Sequence, residues 1–187
     1  MLAGLWIYLA IGVPALVLLA GVVLYNRFIR KRALVAEAWS GIDVQLKRRF
    51  DLIPNVIETV KAYRVYEARV LNDLTELRAR TQTAAGPAER GRLEGALSDR
   101  LYGLFAVAEN YPELKANTVF LDLQQRLTDV ENELQLARRY YNGTVRDLNV
   151  MVESFPSLIV ARLFGFTRAE YFQLDDAAER VAPTIKV

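Results

Sequence analysis

The sequence predicts an all-α, membrane-anchored protein, and three observations predict it. Residues 1–26 carry no charged side chain. Beyond them, apolar residues recur at steps of three and four through segment after segment, the period of a helix with one buried face. No window of comparable length alternates with the period of two that strands require. The predicted architecture is an N-terminal transmembrane helix continuing into an antiparallel four-helix bundle, with a short apolar helix near the C-terminus. At 187 residues there is room for one domain and an accessory segment. The predicted division is an anchor over 1–26, a helical body over 27–174 and a tail over 175–187.

The anchor comes first. Leu2 to Tyr25 is uncharged throughout, and as a helix it would reach about 36 Å, enough for a hydrocarbon core of about 30 Å. Trp6, Tyr8 and Tyr25 lie toward its two ends, where amphipathic rings favour the headgroup region. Pro14 is compatible with a membrane helix. A cleaved secretory signal would instead begin with basic residues and end in a small-residue cleavage site. Here the basic residues follow: Arg27, Arg30, Lys31 and Arg32. They predict the N-terminus outside and the remainder in the cytoplasm. Gly4, Gly12 and Gly21 lack the four-residue spacing of close helix pairing in a bilayer.

No glycine or proline falls between Val22 and Ser40, so the anchor is expected to run directly into the first helix of the body. There Val35, Ala38, Trp39, Ile42, Leu46, Phe50 and Ile53 mark one apolar face. Pro54 is expected to kink or end this helix, with Asp51 near the new start. A second periodic stretch runs from Val56 through Val60, Tyr63, Leu71, Leu74 and Leu77 to about Thr81. Thr83 to Ala88 reads as a loop. Leu93, Leu97, Leu101, Leu104 and Ala108 mark a third helix, closed by Tyr111-Pro112. The fourth is the clearest, from Phe120 through Leu127, Leu134, Tyr141 and Leu148 to Val152, with a near-heptad repeat that also suits a coiled coil. After Ser154-Phe155-Pro156-Ser157 comes an apolar stretch too short to span a bilayer. Its Leu158, Ile159, Arg162, Leu163, Phe164 and Phe166, with Tyr171 and Phe172, either cap the bundle or meet a membrane surface or another subunit.

Chemistry is harder to find. With no Cys and no His, disulfides, thiolate nucleophiles, cysteine-ligated metals and the usual general base are excluded. Without the four basic residues after the anchor, 20 Lys and Arg stand against 22 acidic residues, so the body is nearly neutral and no nucleic-acid surface is indicated. Glu109, Asp129, Glu131 and Glu133 would suit Mg²⁺ or Ca²⁺ only as an all-carboxylate set, and solvated helix faces account for them. The stretches near Gly86 and Gly91 lack the spacing of a phosphate-binding loop. Lys47-Arg48-Arg49 and Arg138-Arg139 point around their helices, as solvated or ion-paired residues do. Asp43, Gln45 and Asp51, with Asn142, Arg146, Asp147 and Asn149, either face water or meet as a polar network that fixes helix register.

Several blocks of residues resemble one family. Ala38-Trp39-Ser40-Gly41-Ile42-Asp43-Val44-Gln45-Leu46-Lys47-Arg48-Arg49 and Asp51-Leu52-Ile53-Pro54-Asn55 resemble the LemA family of bacterial membrane proteins. So do Glu109-Asn110-Tyr111-Pro112-Glu113-Leu114-Lys115-Ala116-Asn117, Ala137-Arg138-Arg139-Tyr140-Tyr141-Asn142, and Ser154-Phe155-Pro156-Ser157 through Leu163-Phe164-Gly165-Phe166. Gly41 stands where members usually carry Asn or another polar residue, and Tyr66 where many carry His. The resemblance implies an anchor, a four-helix bundle and the bacterial cytoplasmic membrane.

Two functions lead on this basis, ahead of a third, an enzyme that uses unrecognised carboxylates or a serine-lysine pair. The first is a non-enzymatic scaffold that self-associates and organises membrane proteins or the membrane surface. The second is an adaptor or regulator of a membrane enzyme such as an envelope-stress protease. The expected partners are the lipid bilayer, further copies of the chain and other membrane proteins. No cofactor, metal, nucleic acid or small-molecule substrate is expected.

Overall fold

A computed structural model describes the backbone of residues 2–63 and 68–173, and side chains from residue 11 onward except at 64–70. Tyr66, the side chains of Trp6 and Tyr8, and the tail from Asp175 lie outside the described residues. The described chain is all-helical, with six helices and no strand. They are α1 (Leu2–Ala62), α2 (Ala68–Thr83), α3 (Pro87–Ala108), α4 (Pro112–Lys115), α5 (Thr118–Glu153) and α6 (Ser157–Phe164). Two compact units are distinguished, one of residues 1–40 with 140–169, the other of residues 41–139 with 170–187.

The N-terminal part of α1 is long and apolar enough to cross a membrane, and only 6% of that stretch is buried. A core helix of a soluble protein would be mostly covered. As the sequence predicts, α1 passes from the apolar stretch into the body without a break.

Of the two outcomes expected at Pro54, an end is not found: α1 continues to Ala62, and Asp51 lies inside the helix rather than near a new start. Residues 56–62 therefore belong to α1 and not to a second helix. The physical reason is visible on two sides of the proline. Its missing N–H leaves the carbonyl of Phe50, four residues earlier, without its helical donor. The Arg78 Nε–H donates to that carbonyl at 3.1 Å, and the same guanidinium lies 3.4 Å from the centre of the Phe50 ring, a cation–π contact. Around the proline, Ile53, Val56, Ile57 and Val60 are all buried, which offsets the cost of the irregular turn.

The core of the second unit gathers these α1 residues with Leu71 and Leu74 of α2, Leu97, Leu101 and Leu104 of α3, Leu114 of α4, and Phe120, Leu123 and Leu127 of α5. The loop expected over Thr83 to Ala88 shrinks to residues 84–86, because Pro87 takes the first helical position of α3, where its fixed φ and missing N–H cost nothing. Glu89 reaches back to accept from the Ala85 N–H at 3.0 Å, and α3 packs along α2. Asn117 caps α5, accepting from the Phe120 N–H at 2.9 Å while its amide donates to the Tyr63 hydroxyl at 2.7 Å.

One glycine in this unit is required by close approach. A Cβ on Gly91 would collide with the backbone of Gln173, where the chain lies across α3, whereas a Cβ on Gly103 would meet nothing. Backbone atoms cannot swing aside as a side chain can. Gly91→Ala is therefore expected to lower stability by about 1–3 kcal/mol. Gly103→Ala, in the same helix, is expected to raise it by about 0.5–1 kcal/mol. Urea denaturation of the detergent-solubilised chain, followed by circular dichroism, reads both. Shifts of the same sign would show that Gln173 does not sit against Gly91.

Candidate functional site

In the first unit, a junction forms where α1 leaves its apolar stretch. Phe28 is fully buried with Leu148 of α5 and with Val160 and Ala161 of α6. Gly165 ends α6 at φ 71°, a left-handed position that favours glycine, and the Phe166 N–H donates back to the Ala161 carbonyl at 2.9 Å. This helix-ending motif turns Phe166 inward. Its ring stacks on Phe28 at 4.6 Å, while Phe164 and Phe166 meet Tyr25 at 4.9 Å and 5.6 Å. Asn149 fastens the segment that follows, donating to the Ala169 carbonyl at 3.0 Å and accepting from the Ala169 N–H at 2.8 Å. Ser157 lies buried at the start of α6, its hydroxyl 2.7 Å from the Met151 carbonyl.

The residues singled out in the sequence divide around this junction. Arg27, Arg30 and Arg32 are exposed. Lys31 donates to Asp147 at 2.7 Å, and that hydrogen bond and charge hold Asp147 below the usual carboxylate range. The pair is partly exposed, so it adds little stability. Leu158 is half-buried, whereas Ile159, Arg162, Leu163 and Phe164 are exposed. Of the last two, Tyr171 is half-buried and Phe172 is fully covered in the second unit. The apolar segment thus has both a covered face and an open one.

The polar residues singled out do not form one set. In the second unit, Asp43 pairs with Arg90 at 3.0 Å, Gln45 accepts from Arg48 at 3.4 Å, and Asp51 is exposed. Asp43, Lys47, Asp51, Arg90 and Glu94 line a surface pocket of about 300 Å³. In the first unit, Asn142 is half-buried, Arg146 is exposed, and Asn149 is buried on the backbone of Ala169.

A buried ion cluster in the second unit was not predicted from the sequence. Arg49 of α1 lies 3.3 Å from Glu94 and 3.4 Å from Glu131, with side-chain exposures of 3%, 5% and 14%. The nitrogen that faces Glu131 also donates to the Ser98 hydroxyl at 2.6 Å. Burial pushes the Glu94 carboxyl above its ordinary value of 4.5, with Arg49 and Arg90 pulling it back and Glu131 adding to the rise. Burial, followed by the Glu131 charge, also raises the nearby Tyr102 hydroxyl. Arg49, Ser98, Tyr102 and Glu131 border a cavity of about 20 Å³, room for one water. Glu131, read from the sequence as part of a solvated face, is thus half of an ion pair. Glu109, Asp129 and Glu133 are exposed, and among the described residues no three potential ligands converge on a metal position.

An open apolar helix that merges into a helical body, with aromatic rings gathered at its exit, defines a membrane-associated helical protein. The model of the LemA family matches residues 38–187. The chain belongs to the LemA family. Among named relatives it is similar to the magnetosome protein MamQ 2 of Paramagnetospirillum magneticum, 23% identical over 83% of this chain and 66% of that protein. The magnetosome protein MamQ of Magnetospirillum gryphiswaldense is 23% identical over 91% and 73% respectively. Protein LemA of Metamycoplasma hominis is 23% identical over 83% and 71%. The chain therefore spans just under two thirds of the length of the first of these relatives.

Proposed function

We propose that this protein is a non-enzymatic, membrane-anchored scaffold that self-associates and organises other membrane proteins or the membrane surface around it. The observation that carries the reading is the continuity of α1 from an open apolar stretch to the buried residues Ile53, Val56 and Val60. One helix is then both membrane anchor and core element. Copies confined to one plane meet at raised effective concentration, so weak contacts between them suffice for assembly. The magnetosome names of two relatives support a role tied to a membrane compartment. The cationic run Arg27, Arg30, Lys31 and Arg32 supports the cytoplasmic membrane of a bacterium, with the N-terminus outside.

The mass of the full-length chain in lipid nanodiscs and in mild detergent tests the proposal. A defined assembly larger than the monomer, retained on dilution, is the expected result. A monomer at every concentration, in cells whose membrane complexes are unchanged by its deletion, overturns it.

A further inference from the structure

We propose that α6 is a second membrane contact. It lies in the interface of the leaflet from which α1 emerges, with Phe155, Ile159 and Leu163 at the boundary between headgroups and acyl chains. This rests on the reading of α1 as an anchor.

Three observations within the first unit carry the inference. The first is the shape of the open face. Ser157, Val160 and Ala161 turn inward, while Ile159 and Leu163, four residues apart on α6, are exposed by 59% and 75%, and Phe155, in the turn that precedes the helix, by 81%. Large apolar side chains in such a row on a free protein surface mark a contact with something else. The second is position. Phe164 lies 4.9 Å from Tyr25, at the end of the charge-free stretch of α1. Tyr25 is about 3 Å along the helix axis from the first basic residue, Arg27. The open face of α6 is therefore placed where α1 passes from hydrocarbon to headgroups. The third is charge. From Ser154 to Ala169 there is no acidic residue, and of the two basic residues Arg168 is paired with Glu153 at 3.0 Å, which leaves Arg162. Arg162 is exposed, in the flank of an apolar row where it would meet lipid phosphates. A soluble partner would have to fit a surface beside the bilayer. The bilayer itself is already there.

The absence of cysteine from the chain permits a direct test. Single variants Phe155→Cys, Ile159→Cys and Leu163→Cys of the full-length protein are spin-labelled and reconstituted in vesicles of phosphatidylcholine and phosphatidylglycerol. Collision rates with oxygen, which partitions into lipid, and with a water-soluble nickel complex then report depth. Leu18→Cys serves as the anchor control and Asp129→Cys as the exposed control. The oxygen-to-nickel ratio at Leu163 is expected to exceed that at Asp129 several-fold and to approach that at Leu18. The three positions carry one expectation, so a variant that fails to fold leaves two others.

A ratio at all three equal to that at Asp129, with Leu18 in lipid, overturns the interfacial helix and leaves the anchor standing. A water-like ratio at Leu18 overturns the anchor and the interfacial helix with it. Line broadening at Leu163 that disappears on dilution with unlabelled protein, without lipid exposure, assigns the face to a second copy and overturns the proposal.

Discussion

Replacing Arg49 with methionine is expected to cost about 3–5 kcal/mol of stability near neutral pH. The guanidinium is the shared partner of Glu94 and Glu131, and it also donates to Ser98. Methionine fills much the same space, so the loss arises from charge. Two carboxylates remain in a covered site with no cation between them. Urea denaturation in mild detergent measures the effect. Removing the nearer carboxylate as well, with Glu94→Gln, is expected to restore part of the loss, because coupled neighbours do not add. A loss below about 1 kcal/mol would mean that water already screens the cluster.

The pH dependence has a defined sign. The folded-state pKa of Glu94 lies above the ordinary value of 4.5 because burial disfavours its charged form. The folded protein therefore takes up this proton before the unfolded chain does. That contribution to stability is complete below 4.5 and is lost as pH rises through the folded-state value. Arg49 is the largest influence opposing the rise, so Arg49→Met moves the Glu94 pKa further up. The deficit of the variant is thus greatest in alkaline buffer and shrinks with acidification. Measured between about pH 8 and about pH 5, a constant deficit would contradict this account.

The fold was legible where periodicity dominates. The three- and four-residue steps predicted the all-helical class and the length of α5, and the lack of glycine and proline between Val22 and Ser40 predicted the run of the anchor into the body. That the helix continues past Pro54 was not legible locally, because the compensation is distant: Arg78, on another helix, supplies the donor that the Phe50 carbonyl lacks. The ion cluster was less visible but did leave a trace. Arg49 lies between Leu46 and Ile53 on the apolar face of α1, Glu94 precedes Leu97 by one turn, and Glu131 falls between Leu127 and Leu134. Three charges on three apolar faces need partners once those faces meet. By chain neighbours alone each carboxylate fits a solvated face and the arginine run a solvated or ion-paired one, so the three are not joined until the helices pack. The aromatic junction was legible as a segment with two fates. Which face of α6 is covered depends on the turn at Gly165 and on Phe28, more than 120 residues away in the chain.

Phe28→Ala is expected to destabilise the first unit by about 3–5 kcal/mol. Phe28 is fully buried, packs with Leu148, Val160 and Ala161, and stacks on Phe166. Alanine removes the ring from all of these neighbours at once and leaves a cavity bordered by α5 and α6. Phe28→Leu keeps part of the volume and is expected to cost clearly less. The chain offers a local reporter, since one of its two tryptophans, Trp39, lies 5.4 Å from Tyr141 in the same unit. In a Trp6→Phe background, Trp39 emission follows this unit during urea denaturation in mild detergent. The transition is expected to fall to lower urea in the order native, Phe28→Leu, Phe28→Ala. If Phe28→Ala left it unmoved, the ring stack would contribute no stability, and α6 would lack the fixed seat beside α1 that an interfacial helix needs.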